Sequence, residues 1–404
     1  MTDKRSAGSR LLVGLAAMAI ALGACTSSST ASSAPSTAAS SAAPSAAGSA
    51  AASGSTAASG SAAASGSAVA SGSAAASGSA ATSGGAAAYK IGVSNTVQGN
   101  GWREEMICSV KAQAAASGKV SELTVAHRNT DAAGQLEDIR NLISKGVNAI
   151  IVNPVSPDAV NAAIKEALDK GITVVSVDQA VTQPGAYLMA NNQEEYGYLG
   201  GKWLFQQLNG KGNVVYMRGA AGATADTDRD KGFKRALAEN PGIKVVSEVQ
   251  TGWQQATAVE QINTFLASGQ PFDGVWTSGV DNVIVDALKS ANKIVPVVGA
   301  DNSGFVQQLL NEQGLKGAAV TNPASVGGAG LELALKVLDG QAPAEKSTLV
   351  QPEVWDNTTD AGKQKLTAAN DPKIDPTWPL GISIPDWTTY SKDQLLACKG
   401  PGES

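Results

Sequence analysis

From Tyr89 onward, short runs rich in Val and Ile alternate with longer amphipathic segments. A strand that is apolar at nearly every position must be buried on both faces, which a parallel sheet covered by helices on either side provides. Ile91–Ser94, Leu123–Ala126, Ala149–Val152 and Ile172–Val177 read as such strands, with helices over Trp102–Ala116, Ala132–Lys145 and Asp158–Asp169 between them. Gly146 and Gly171 stand just past two of these helices, where a left-handed closing residue favours glycine. The rhythm then repeats. Strands are expected at Val214–Met217, Lys244–Val249, Gly274–Thr277 and Val295–Gly299, and helices at Glu194–Leu208, Asp228–Glu239, Ala256–Ala267 and Val283–Ser290. The pattern predicts an α/β protein of two doubly wound parallel-sheet lobes. Ligands of open α/β sheets lie beyond the carboxyl ends of the strands. Two such lobes facing each other are expected to hold a cleft between them that closes about a hinge.

The first fifth of the chain obeys different rules. Lys4, Arg5 and Arg10 precede an apolar run, Leu11–Leu22, too short to span a bilayer as a helix. It ends in Leu22-Gly23-Ala24-Cys25, which resembles the bacterial lipobox. Residues 1–24 therefore read as a lipoprotein signal peptide and Cys25 as the lipidated new N-terminus; the alternative is an ordinary signal peptide with a chance cysteine. Residues 25–87 are nearly all Ser, Ala and Gly and cannot offset their ordering entropy. They are expected to form a disordered tether of roughly 40–50 Å r.m.s. span. The expected location is extracytoplasmic, anchored by lipid to the cell membrane. Of the three cysteines, Cys108 and Cys398 then remain, an even number in an oxidising compartment, and are expected to form a disulfide. Two free buried thiols are the alternative.

A formal net charge of −5 offers no broad basic surface for nucleic acid. The single His127 has no partner histidine for a metal site, and no Gly-x-Ser-x-Gly or Walker motif is present. Gly219-Ala220-Ala221-Gly222 lacks the Lys-Ser/Thr of a phosphate loop. No cofactor, metal or catalytic residue is expected, and the protein is read as a binder rather than an enzyme.

Polar residues close many of the strands in a set order: Ser94-Asn95, Asn153-Pro154, Asp178, Gly219–Gly222, Gly232-Phe233, Asp281 and Gly299-Ala300-Asp301. This order resembles the ribose-binding-protein family, the type I periplasmic binding proteins of ABC sugar importers, over residues from about 89 to about 340. The resemblance implies two lobes joined by three crossovers. The chain is accordingly divided into 88–191 plus 323–347 as the N-terminal lobe and 192–322 plus 348–404 as the C-terminal lobe and tail; the tail exceeds the family core, and a Cys108–Cys398 disulfide would tie it to the first helix. By position the resemblance makes Asp178 and Asp301 the sugar-binding carboxylates, Asn153 a donor, Trp253 an aromatic wall, Asn322 a closing amide and Asp281 a further polar contact. Asp178 is followed by Gln179 where the ribose binder has Arg, and Gly101-Trp102-Arg103 replaces a Phe pair. Trp102, Arg103 and Arg229 are instead similar to the galactofuranose-binding branch.

These residue types suit a sugar. Carboxylates and amides accept hydroxyl protons, guanidinium groups donate in a fixed fork, and indoles cover C–H faces. Each has a plainer reading too. Asp178, Asp281 and Asp301 can cap the following helix, Asn153 can serve a turn before Pro154, Trp102 can belong to the core, and Arg229 can pair with Asp226 or Asp230. The expected function is capture of a monosaccharide or related polyol for an ABC-type importer, with its permease and ATPase as partners and the protein as a monomer. The alternatives are a ligand-presenting sensor for a membrane receptor or a glycoside-processing enzyme.

Overall fold

A computed structural model describes residues 89–403. The signal peptide, Cys25 and the tether lie outside the described residues.

The first lobe alternates β1 (Tyr89–Asn95), α1 (Gly101–Ser117), β2 (Val120–His127), α2 (Ala132–Ser144), β3 (Ala149–Asn153), α3 (Asn161–Asp169) and β4 (Thr173–Val177), and then adds β5 (Tyr187–Asn191). The second runs through α4 (Gln193–Gln207), β6 (Lys211–Arg218), α5 (Thr224–Ala238), β7 (Gly242–Gln250), α6 (Gln255–Ala267), β8 (Gly274–Trp276), α7 (Asp281–Ser290), β9 (Val297–Ala300), α8 (Ser303–Asn311) and β10 (Gly317–Val320). The chain continues with α9 (Val326–Leu338), β11 (Ser347–Val350), β12 (Val354–Asp356), α10 (Asp360–Ala369) and α11 (Lys392–Ala397).

Two six-stranded sheets result, ordered β11-β5-β4-β3-β1-β2 and β12-β10-β9-β8-β6-β7. The first is parallel throughout; the second is parallel except for β12, which joins the edge strand β10 antiparallel. Each sheet is covered on both faces. Met106, Val110, Leu331 and Leu335 pack on one side of the first sheet, and Ile139, Leu142 and Ile164 on the other. In the second, Ile262, Ile284 and Phe305 take one side and Tyr196, Phe205 and Phe233 the other. This two-sided burial is the reason the strands read as unbroken apolar runs. Gly146 and Gly171 adopt φ of +68° and +76°, the left-handed conformation expected of them.

The expected division of the chain meets one correction. The stretch 348–404 does not stay with the second lobe. β11 extends the first sheet, and β12 and α10 join the second. The chain then returns: Ile384 and Trp387 pack into the first core, and Tyr390 and Leu395 pack against Cys108 and Ala112 on α1. Cys398 is disulfide-bonded to Cys108. The chain therefore passes between lobes four times, at 191–193, 321–325, 351–353 and 380–384, not three. The physical reason lies in the tail's apolar residues, Ile384, Trp387 and Leu395, which find their burial on the first lobe.

Helices α4 and α5 touch backbone to backbone. A Cβ on Gly232 would lie 1.8 Å from the Glu194 carbonyl oxygen, and one on Gly197 would lie 2.0 Å from that of Arg229. Only glycine permits this approach, which holds Gln193 beside Arg229. Gly232→Ala is expected to force the helices apart and destabilise the protein by about 1–3 kcal/mol, the usual range for overpacking. Denaturant titration of the variant against wild type measures this.

Candidate ligand-binding site

A cavity of about 340 Å³ lies between the carboxyl ends of the two sheets, within the usual size range for small-molecule sites. Seven of the nine expected ligand residues line it: Trp102, Arg103, Asp178, Arg229, Trp253, Asp301 and Asn322. The other two, Asn153 and Asp281, do not.

Asp178 follows β4 and carries φ +64°, a left-handed conformation rare for a residue with a side chain. Its carboxylate lies among Arg103 Nη2 at 3.9 Å, Asn153 Nδ2 at 3.5 Å and Gln193 Nε2 at 3.2 Å. Burial pushes its pKa up, opposed by Arg103 and Arg229. Arg103, on the first turn of α1, donates through Nη1 to Asn95 Oδ1 at 2.8 Å. Burial lowers its pKa, against the pull of Asp178. The neighbouring Trp102 donates its indole N–H to the Asn322 carbonyl at 2.7 Å, tying α1 to the second crossover.

Arg229, on α5, is buried; its Nε donates to Gln193 Oε1 at 2.7 Å and its guanidinium sits 4.2 Å over the Tyr196 ring. It pairs with neither Asp226 nor Asp230; Arg218 takes both. The Nη groups of Arg229 have no hydrogen-bond partner among the described residues, so its fork remains available at the cavity wall. Trp253 also has a left-handed backbone, φ +55°. Its indole lies against Gly219, where any Cβ would fall 2.1 Å from the ring. Its Nε1 and the hydroxyl of cavity-lining Ser278 are buried without a partner among the described residues.

Asp301 follows β9 and accepts the Asn322 backbone N–H at 3.0 Å through Oδ2. Burial pushes its pKa up to about 6, opposed by that N–H and by Arg229. Asn322 Oδ1 accepts from Gln193 Nε2 at 3.1 Å.

Two expected residues stand outside the cavity lining. Asn153 is buried behind Asp178, bound to Gln179 Nε2 through Oδ1, with its amide nitrogen facing Asp178 and the Met106 sulfur. It buttresses the carboxylate instead of lining the cavity. Asp281 is fully buried and accepts the Gly279 and Ala300 N–H groups and the Asn302 side-chain amide. Burial pushes its pKa up to about 7, against the Ala300 and Gly279 N–H groups and Arg229. It clamps the ends of β8 and β9 together and so positions Asp301. A strand-end carboxylate can point into the cleft or back into the turn, and residue type does not say which.

Three features were not read from the sequence. Gln193, the first residue of α4, bridges Asp178, Asn322 and Arg229 at once. Its one signal is its place just after the polar Asn191-Asn192 that ends β5. Glu105, on α1, is fully buried, with the Gly381 backbone near its carboxylate but no hydrogen bond of good geometry to either oxygen among the described residues. Burial, with Asp301 nearby, pushes its pKa well above the ordinary carboxylate range, against Lys392 and the Gly381 backbone. Thr377 and Pro379, from the tail, line the cavity. The lobes also meet directly: Asn100 Nδ2 donates to the Trp253 carbonyl at 3.2 Å, and the Thr224 N–H to Gln179 Oε1 at 3.1 Å. The position where the ribose binder carries Arg is thus an interlobe latch.

Replacing Gln193 by Leu would leave Arg229, Asp178 and Asn322 each short of a partner. An unsatisfied buried polar group costs about 1–3 kcal/mol. Gln193→Leu is expected to lower stability by at least that much in urea denaturation.

A family model described as a periplasmic binding protein domain matches residues 91–342. The chain is 28% identical to the xylitol-binding protein of Mycolicibacterium smegmatis over 261 residues, 63% of this chain and 74% of that protein. It is 30% identical to the galactofuranose-binding protein of Escherichia coli over 216 residues, 51% of this chain and 67% of that protein. Its structure is similar to that of an ABC transporter solute-binding protein from Mycobacterium smegmatis with bound glycerol, at a TM-score of 0.64 and 25% identity, covering 72% of this chain and 99% of the other. Two doubly wound lobes with a polar cleft between their strand ends fall within one recognised domain spanning more than half of the sequence, and the chain belongs to the periplasmic binding protein family.

Proposed function

We propose that this protein is an extracytoplasmic solute-binding lipoprotein that captures a monosaccharide or related polyol between its lobes and delivers it to an ABC-type importer through its permease and ATPase. The observation that carries this reading is the balance of charge in the cleft. Arg103 and Arg229 face Asp178 and Asp301, all four at most 8% exposed. Two cations and two anions let a neutral ligand be enclosed without an uncompensated buried charge. The same four groups supply donors and acceptors to hydroxyls that both give and take protons, and Trp102 and Trp253 offer apolar faces. Relatives named for binding xylitol and galactofuranose support the ligand class. Ligand held by residues of both lobes stabilises the closed arrangement over an open one.

The anchor reading rests on Leu22-Gly23-Ala24-Cys25 following a short apolar run. A diacylglycerol contributes two acyl chains, enough for stable attachment. Cys25→Ser is expected to release the protein into the medium or leave its signal peptide uncleaved; a processed, membrane-bound variant would count against the anchor.

The ligand's hydroxyls are best served by ionised Asp301, an acceptor only. A ligand that prefers the ionised form binds more tightly as pH rises through the free protein's pKa of about 6 and reaches a plateau above it. Below that value affinity falls. Asp301→Asn is expected to weaken binding roughly ten- to a hundredfold at neutral pH, matching about 1.5–3 kcal/mol for a charged hydrogen bond, and to remove the step near pH 6. Calorimetric titration with pentoses, hexoses and polyols across pH 4.5–8 measures both. Wild-type affinity in Asp301→Asn would place the site elsewhere.

A further inference from the structure

The cavity has a wall that the family's domain does not supply. The matched domain ends at residue 342, yet Thr377 and Pro379 line the cleft. The tail is held to the second lobe at this point. The Ser303 N–H donates to the Trp378 carbonyl at 2.7 Å and the Gly304 N–H to that of Pro376 at 3.0 Å, and Pro379 forms an antiparallel bridge with Asn302. Pro379 and Leu380 are buried. A few residues later the same segment is fixed to the first lobe. The Thr389 N–H donates to Gln113 Oε1 at 2.9 Å, Lys336 Nζ donates to the Asp386 carbonyl at 3.0 Å, and the Cys108–Cys398 disulfide closes the run. The segment crossing the cleft is therefore anchored on both sides of it.

The opposing surface is cut to fit. Gly101 begins α1, next to Trp102 and Arg103, and a Cβ there would lie 2.2 Å from the Thr377 carbonyl oxygen and 2.5 Å from its hydroxyl. Gly101 is not left-handed, so its lack of a side chain serves contact with the tail and not backbone conformation. Thr377 is itself braced, its N–H and hydroxyl both reaching Asp375 Oδ1, at 2.8 and 2.7 Å. This braced turn closes the cavity beside Asp301 and Asn302.

We propose that the C-terminal segment is a specificity-determining wall of the binding site, with Thr377 and Pro379 limiting the ligand to an unsubstituted monosaccharide or polyol. The proposal rests on the sugar or polyol reading above and adds to it which part of the chain sets ligand size. A bulkier side chain at 377 shortens the cavity, so larger ligands are lost before smaller ones. A smaller one lengthens it, so a substituent on the ligand is tolerated.

Titration calorimetry of the full chain with glycerol, xylitol, D-galactose and methyl β-D-galactopyranoside tests this. Thr377→Phe is expected to weaken D-galactose at least tenfold more than glycerol or xylitol. Thr377→Gly is expected to narrow the gap between D-galactose and its methyl glycoside at least fivefold. Gly101→Ala, which presses on the same turn from the first lobe, is expected to shift the same ratios without altering the tail's sequence. A merely structural tail would change all affinities by a common factor. Ratios within twofold of wild type in all three variants would overturn the wall while leaving the sugar reading intact. A wild-type protein that bound none of these four and none of the wider panel of pentoses, hexoses and polyols would overturn both.

Discussion

The site is organised around one buried carboxylate, Asp178, and the amide that holds it. Gln193 donates to Asp178 and to Asn322 and accepts from Arg229. Asp178 belongs to the first lobe, Arg229 to the second, and Asn322 to a crossover between them. Charges removed from water cost several kcal/mol each unless paired and hydrogen-bonded. Asp178 and Arg229 meet that condition through a side chain that can donate and accept at once. A carboxylate at 193 would leave Asp178 facing a like charge, and an amine would face Arg229. The amide is the group that satisfies both.

That arrangement needs Gln193 and Arg229 on helices whose backbones nearly touch, and Gly197 and Gly232 allow it. Phe233, next to Gly232, stacks on Tyr216 at 3.8 Å and packs edge-on to Trp276. An aromatic cluster thus holds the helix pair against the second sheet, while the missing Cβ atoms let the pair close. Core packing and polar site are one construction. Asp281 extends it to Asp301 by fixing the turn after β8 to the turn after β9.

The lobes were legible in the sequence because two-sided burial leaves an unbroken apolar signature, and two of the helix ends because Gly146 and Gly171 mark them. The tail was not. Residues 371–390 are dense in Pro, Asp, Thr and Trp and carry no period of two or of 3.6. Their burial comes from single residues, Ile374, Leu380, Ile384 and Tyr390, inserted at separate points. Such a segment is specified by the surface it lies on, and the facing feature, Gly101, reads in isolation as an ordinary helix start. The lining of the candidate cleft was legible to the level of residue type. Asp178 and Asp301 end strands and reach the cavity; Asp281 and Asn153 also stand at strand ends and do not. What separates them is which partners lie within reach: Asn153 turns to the Gln179 side chain behind Asp178. Asp281 turns back onto Gly279 and Ala300, a choice made by loop geometry.

Two cleft residues, Asp178 and Trp253, hold left-handed backbones that cost of order 1 kcal/mol or more each. Neither conformation is needed to continue a strand or start a helix. In both places it turns a side chain toward the cavity: the carboxylate to Gln193 and Arg103, the indole onto Gly219. A strained backbone persists only when its surroundings over-determine it, and here they do, through the Asp178 N–H bonded to the Met189 carbonyl and the Trp253 N–H to Thr251 Oγ1. Because folding has already met the cost of backbone strain at these two positions, ligand binding need not impose it again. Preorganisation of this kind raises affinity by cutting the cost of association, without adding contacts.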